Sequence, residues 1–333
     1  MMYQPMFIYI YIFPSMLISP ILAISMNSWF MIWIMLEFNM MTFIPLIIYF
    51  NKFYKNLALK YFIIQTFSSS ILILFSNSQL INFFENNYLI YIFINISILI
   101  KLGAAPFHSW FISLMMNMNW LNCLILSTWQ KIIPMILIMY SFFNKIIYLS
   151  IIISCLIGSI LSLNHQSLRL ILSYSSINHI SWMLMNLMIS EKSWILYFIS
   201  YFIINSSIML IFSQFNINFI NQLLKLNNKP LMLILIMNFI SISGLPPMFG
   251  FLMKWFSLYM MNLNSNYILI FLLIMMSIMT FYFYLRICIY MLIMVKLNFK
   301  SNLNYIFFKN YKLKKFIIFN SFIILWYMSI WLF

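Results

Sequence analysis

Apolar runs of about twenty residues, divided by short polar stretches, follow one another along this chain. A helix that crosses a bilayer needs ~20 apolar residues at about 1.5 Å each. On that measure the pattern predicts about eleven spanning helices, near residues 6–24, 28–50, 58–77, 88–118, 121–142, 146–163, 167–189, 193–215, 230–262, 266–295 and 316–333. The longest polar connections, Asn216 to Lys229 and Lys296 to Lys315, read as loops rather than soluble modules. Residues 1–333 are therefore expected to form one polytopic, all-α membrane domain.

Two runs exceed the needed length and carry an internal break. The fourth is interrupted at Lys101-Leu-Gly-Ala-Ala-Pro106 and the ninth at Gly244-Leu-Pro-Pro247. They lie five spans apart, an odd offset, so they cross the membrane in opposite directions. That is the arithmetic of an inverted repeat, with 1–142 as the first half, 146–295 as the second and 316–333 as a terminal helix. Unwound backbone is tolerated at membrane depth where it faces a wet cavity, so paired breaks point to an ion site. The plain alternative is two proline kinks without function.

Composition agrees with the pattern. The chain is 65% hydrophobic and 6% charged, with mean hydropathy +1.01, values that no water-soluble core of this length hides. Aspartate is absent, valine occurs once (Val295) and Ile, Met, Phe and Asn abound, the mark of an A+T-rich coding sequence. Met- and Phe-rich stripes are accordingly read first as lipid-facing filler. Cys123, Cys155 and Cys288 lie far apart, too scattered for an iron–sulfur or zinc site. His108, His165 and His179 are too few for paired haems, so no redox cofactor is expected on this chain. Met1 to Gln4 hold no basic residue, which reads as the start of a mature helix rather than of a cleaved signal.

Charge is sorted by side. With eleven spans, one face receives Lys52, Lys55, Lys60, Arg169, Lys225, Lys229, Lys296, Lys300, Lys309, Lys312, Lys314 and Lys315, and the other only Lys145 and Lys192. Basic residues stay on the side of insertion. The amino terminus is thus predicted on the matrix or cytoplasmic side and the carboxyl terminus on the other. Most of the net charge of +15 belongs to that basic face, where anionic lipid or acidic neighbouring subunits are the natural partners. Nucleic acid is a poor partner, since no basic patch stands apart from these loops.

The remaining charges carry the candidate chemistry. Glu37, one of three acidic residues, lies within the apolar run Trp29 to Phe50, about 15 Å deep. A carboxylate there costs about 2.5 to 3.5 kcal/mol on insertion scales and persists where it has a partner and a task. Lys101, Lys131 and Lys254 also fall inside apolar runs, each near a glycine or proline that interrupts a helix. One acid and three lysines at depth are the parts of a proton or ion path; the alternatives are structural ion pairs and, for a lone lysine, snorkelling to the interface. Arg286 is expected to snorkel. His108 and His165 fall near the basic face and either feed protons inward or simply hydrogen-bond there. His179 sits among Ser175, Ser176 and Ser181, neighbours able to support a water chain. Glu85 and Glu191 are expected in solvated loops of the opposite face.

These residues also carry a resemblance. Lys101-Leu-Gly-Ala-Ala-Pro-Phe-His-Ser-Trp110, Leu168-Arg-Leu-Ile-Leu-Ser-Tyr-Ser-Ser-Ile-Asn-His-Ile-Ser-Trp182 and Ser243-Gly-Leu-Pro-Pro-Met-Phe-Gly-Phe-Leu-Met-Lys-Trp255 resemble, in order, the mitochondrial NADH dehydrogenase subunit 2 family in an insect-like version. That family supplies antiporter-like membrane-arm subunits of respiratory complex I. The resemblance implies an antiporter-like fold of eleven helices, three fewer at the amino terminus than in bacterial relatives, in the mitochondrial inner membrane with a matrix-side amino terminus. It further implies that Glu37, Lys101, Lys131 and Lys254 match a central polar axis: Glu37 and Lys101 as a coupling pair, Lys131 as relay, Lys254 towards the exit side. His179 matches a family histidine. Flavin, iron–sulfur clusters and quinone are implied on other subunits. A glycine-rich turn usual ahead of the glutamate is replaced here by Trp33-Ile-Met-Leu36.

The expected function is therefore proton translocation within NADH:ubiquinone oxidoreductase. An autonomous cation:proton antiporter and a purely structural scaffold are the competing classes.

Overall fold

The computed structural model describes residues 8–50, 54–81, 87–225, 229–246, 248–263 and 267–298. The expected last span at 316–333, Glu85, Pro247 and the lysines from Lys300 onward lie outside the described residues. Within them the chain is helical, with one isolated antiparallel bridge, Ser167 to Phe219.

A π-helical turn, Ile8–Ile12, leads into α1 (Phe13–Ser25), followed by α2 (Trp29–Phe50), α3 (Lys55–Ile81) and α4 (Asn87–Leu102). Next come α5 (Ser109–Asn117), α6 (Trp120–Ser127), a 3-10 turn (Trp129–Lys131), α7 (Ile132–Tyr140) and α8 (Asn144–Ile160). A 3-10 turn (Leu161–Asn164) joins α8 to α9 (Leu168–Ile189), and α10 (Glu191–Phe215) ends at a 3-10 stretch (Ile220–Lys225). The chain closes with α11 (Lys229–Ser243), α12 (Phe249–Leu263) and α13 (Tyr267–Asn298). Among the described residues, six stretches are long and apolar enough to cross a membrane: Trp29–Tyr49, Lys55–Ser78, Trp120–Tyr140, Asn144–Asn164, Glu191–Phe215 and Tyr267–Leu292. Ile10–Ser25, Tyr88–Leu102 and Leu231–Ser243 are shorter apolar helices, the last two being the leading pieces of the interrupted spans.

Both breaks have the same backbone chemistry. Gly103 takes φ +66° and Gly244 φ +85°, left-handed values that only glycine adopts without strain. At the first, the Gly103 N–H donates to the Ile100 carbonyl at 3.1 Å and the Ala104 N–H to that of Leu99 at 3.2 Å. At the second, the Gly244 N–H donates to Ser241 at 3.1 Å and that of Leu245 to Ile240 at 3.4 Å. Each is a Schellman ending, which satisfies the last carbonyls of a helix stopped inside the apolar zone.

A third interruption divides the fifth span at Trp129–Lys131. Pro134 lacks the N–H that would bond the carbonyl of Gln130, four residues back, and its ring crowds that same carbonyl. The turn before it tightens accordingly, and Lys131 closes the turn.

The helices pack in two units. The first holds Met1–Gly158 with Leu172–Met188, where α1 lies on α2, α2 on α3, α3 on α4, and α4 on α7. Gly158 lets α8 approach α9 closely: a Cβ there would sit 2.7 Å from the Asn178 amide nitrogen and 2.8 Å from the Tyr174 carbonyl. The second holds Ser159–Ile171 with Ile189–Phe333, where α11 packs on α13 and α10 on α12. Gly250 has an equivalent task, since a Cβ on α12 would overlap the Ser241 carbonyl of α11. Burial differs sharply among the helices. Every side chain of α9 from Leu170 to Leu187 is buried, whereas α13 displays Ile268, Phe271, Ile278 and Tyr282 outward.

Candidate functional site

Three of the four expected axial residues meet in the first unit. One cavity is lined by Glu37, Asn39, Tyr61, Gln65, Lys101, Gln130 and Lys131, with Trp110, Phe111 and Pro134 among its apolar walls. The centre of a water molecule can occupy about 20 Å³ of it, more than the ~10–15 Å³ that one water needs.

Each charged group reaches the cavity from a distinct piece of backbone. Glu37 is the ninth residue of α2 and half-buried. Lys101 stands in the last turn of α4, where a cation faces the negative end of the helix dipole. The Gly103 ending stops α4 just beyond it, and Trp110 Nε1 donates to the Ile100 carbonyl at 3.0 Å, tying α5 back to that end. Lys131 sits on the 3-10 turn, its ammonium 5.0 Å from the centre of the Phe111 ring, a cation–π contact. Both lysines are buried, 8% and 2% exposed, so neither snorkels.

Polar neighbours that the sequence did not single out line the same cavity. Asn39 Nδ2 donates to Gln130 Oε1 at 2.9 Å, and Gln130 Nε2 donates back to Asn39 Oδ1 at 3.2 Å. The Tyr61 hydroxyl donates to the same Gln130 oxygen at 3.5 Å. Pro134 was the available signal, because it marks Gln130 as the residue whose helical bonding fails.

Lys254 belongs to the second unit. It is 7% exposed, and its ammonium donates to the Ser243 carbonyl at 2.9 Å, beside Gly244. A buried cation thus caps the end of α11, a contact that its place beside the break did not by itself predict.

The histidines stand apart from the cavity lining. His179 is buried on α9 at 7% exposed. Its serine neighbours turn their hydroxyls onto their own helix, Ser175 to Leu172, Ser176 to Ser173 and Ser181 to Asn178, at 2.6 to 2.9 Å. Their lone pairs remain to accept, but their hydrogens are committed, a narrower provision for a water chain than their spacing suggests. His108 precedes α5, with Nδ1 3.1 Å from the Pro106 carbonyl. The His165 carbonyl accepts from Arg286 Nη2 at 3.1 Å, and that of Leu163 accepts from Nη1 at the same distance. Arg286 is exposed on α13, as snorkelling requires. Glu191 departs from expectation: it opens α10 instead of lying in a loop, directly after the capping Ser190, where a carboxylate suits the positive end of the helix.

An acid, two amines, a phenol and three amides around a space fit for water can pass protons by rearranging hydrogen bonds, without any electron carrier.

Comparison with known proteins identifies the family and the fold. Residues 26–280 match the family model described as NADH:quinone oxidoreductase/Mrp antiporter, TM. The NADH-ubiquinone oxidoreductase chain 2 of Anopheles gambiae is 40% identical over 304 residues, 87% of each chain. That of Locusta migratoria is 35% identical over 288 residues, 84% of each. Among solved structures, a chain of respiratory complex I from Thermus thermophilus superposes with TM-score 0.75 at 18% identity, covering 85% of this chain and 69% of that one. A chain of the Mrp complex from Dietzia superposes with TM-score 0.70 at 16% identity, covering 80% and 57%. These last two are likenesses of fold, and the fold is that of the antiporter-like membrane proteins.

Proposed function

The chain belongs to the NADH-ubiquinone oxidoreductase chain 2 family, and from that premise we propose that it is a proton-translocating membrane-arm subunit of respiratory complex I, the H+-translocating NADH:ubiquinone reductase, in the mitochondrial inner membrane. The observation that carries this reading is the cavity gathering Glu37, Lys101 and Lys131. Glu37 and Lys101 act as the coupling pair: a charge rearrangement arriving from a neighbouring subunit strengthens or weakens their attraction. Lys131 responds as relay, taking or releasing a proton through the water in the cavity, and Lys254 serves the exit side. His179, His108 and His165 are secondary candidates for proton entry or hand-over.

Electron transfer belongs to other subunits in this proposal. Flavin, iron–sulfur clusters and quinone bind there, and this chain contributes no cofactor site. The eleven-span, inverted-repeat organisation, with the amino terminus in the matrix and the carboxyl terminus in the intermembrane space, is part of the same reading. Two breaks of identical Schellman chemistry support it. Anionic lipid is proposed to lie against the basic face.

The likeness to an Mrp complex favours one second reading, an autonomous cation:proton antiporter. One experiment separates the two. In inner membranes carrying Lys131→Met, the chain is expected in the large NADH-oxidising complex on a non-denaturing gel, with fewer protons moved per electron or with turnover blocked. Unchanged stoichiometry and rate would remove Lys131 from the path. A chain found only in a small, NADH-inactive band, with cation flux of its own, would establish the antiporter.

A further inference from the structure

Two neutral amides line the same cavity as Glu37, Lys101 and Lys131, and charge chemistry alone does not account for them. Asn39 and Gln130 are 91 residues apart in sequence, yet each donates to the other, at 2.9 and 3.2 Å. Asn39 is two residues beyond Glu37 on α2; Gln130 immediately precedes Lys131 in the 3-10 turn. The Tyr61 hydroxyl completes the group on Gln130 Oε1. The Tyr61 ring lies 6.1 Å from that of Trp110, whose indole bonds the carbonyl next to Lys101.

Apolar side chains of the same size would fill this space without the cost of desolvating two side-chain amides. A reciprocal amide pair offers two things that apolar packing cannot. It fixes the turn bearing Lys131 to the helix bearing Glu37 by directional bonds. It can also invert: turning both amides together exchanges donors and acceptors while keeping both bonds, and the Tyr61 hydroxyl must then change from donor to acceptor.

We propose that the Asn39–Gln130 pair, with Tyr61, is an uncharged positioning joint that holds Lys131 toward the cavity and carries hydrogen-bond orientation among the charged groups that line it. This rests on the proton-path reading above. No proton resides on either amide; protons stay with Glu37, Lys101, Lys131 and water, and the joint orients the groups that exchange them.

The test is a cycle of size-conserving variants in the intact complex: Asn39→Leu, Gln130→Met, both together, and the exchange Asn39→Gln with Gln130→Asn, with Lys131→Met as reference. Three quantities are read: incorporation into the NADH-active complex, NADH turnover and protons moved per electron. Each single apolar variant removes both reciprocal bonds and leaves the other amide without its amide partner, so incorporation and coupling both fall. The apolar double strands no amide and leaves only the Tyr61 hydroxyl without its Gln130 acceptor, so incorporation recovers in part. Coupled turnover is nonetheless expected to stay at about a tenth of native or less, a modest part of the ~10²–10⁴-fold that positioned proton transfer contributes. The exchanged pair keeps one long and one short amide and is expected to recover both quantities. An apolar double that pumps as native while Lys131→Met does not would overturn the joint and leave the proton path standing. Native pumping by Lys131→Met would overturn the path, and the joint with it. Should the doubles fail to incorporate, Tyr61→Phe decides, since it removes a single hydroxyl: lowered coupling supports the joint and native coupling overturns it.

Discussion

Lys254 shows how a single side chain serves two ends. Its ammonium bonds the buried carbonyl of Ser243 at the end of α11, and its stem rests against Gly244, where a Cβ would come within 2.9 Å of Cδ and 3.1 Å of Nζ. Gly244→Ala therefore combines a left-handed alanine with displacement of the buried cation. A loss of about 1–2 kcal/mol is expected from the backbone alone. Thermal unfolding of the purified complex should report it as a lowered midpoint, and an unchanged midpoint would mean that the break relaxes freely. The lysines and Glu37 were legible in the sequence because a charge inside an apolar run has no ordinary explanation. Asn39, Gln130 and Tyr61 were not. Amides and phenols are common throughout this chain, and only a contact spanning 91 residues distinguishes this pair from the rest.

Helices in this protein are defined as much by where they stop as by what they bury. The Gly103 and Gly244 breaks could be read from sequence, since glycine followed by proline ends a helix by known backbone preferences. The break at Trp129–Lys131 was hidden, because Pro134 declares itself three residues past the end of the turn it creates. The latch at the start of α9 was equally hidden. There the Leu168 N–H donates to the Asn218 carbonyl at 2.9 Å, that of Ile220 to Gln166 at 3.2 Å, and Arg286 spans the carbonyls of Leu163 and His165. Removing the guanidinium in Arg286→Ala should weaken this latch by about 0.5–1.5 kcal/mol for each hydrogen bond lost. Hydrogen exchange at residues 165–168 should accelerate. Arg286→Lys should recover only part of the protection, because an ammonium lacks the planar fork that reaches two carbonyls. Equal exchange in all three proteins would make the contact incidental.

At the scale of the whole molecule, the sorting of basic residues is the feature with the widest reach. The proposed orientation puts Lys55 and Lys60 in the matrix and Lys145 and Lys192 in the intermembrane space, and all four are exposed. A membrane-impermeant amine reagent added to mitoplasts should modify Lys145 and Lys192 and spare Lys55 and Lys60 until the membrane is opened. The reverse pattern would invert the topology and every loop assignment with it. Fold class was legible from hydropathy alone, while the gathering of Glu37, Lys101 and Lys131 around one cavity depends on packing among α2, α3, α4 and the turn before α7. The contrast between α9 and α13 sets where inherited variation can accumulate. A coding sequence drifting toward A and T will keep exchanging one oily side chain for another, and α13 absorbs such exchanges on the face where it shows Ile268, Phe271, Ile278 and Tyr282. From Leu170 to Leu187, α9 has no such face, so the serines, asparagines and histidine it carries among its apolar residues form a record that drift cannot rewrite without loss of the fold.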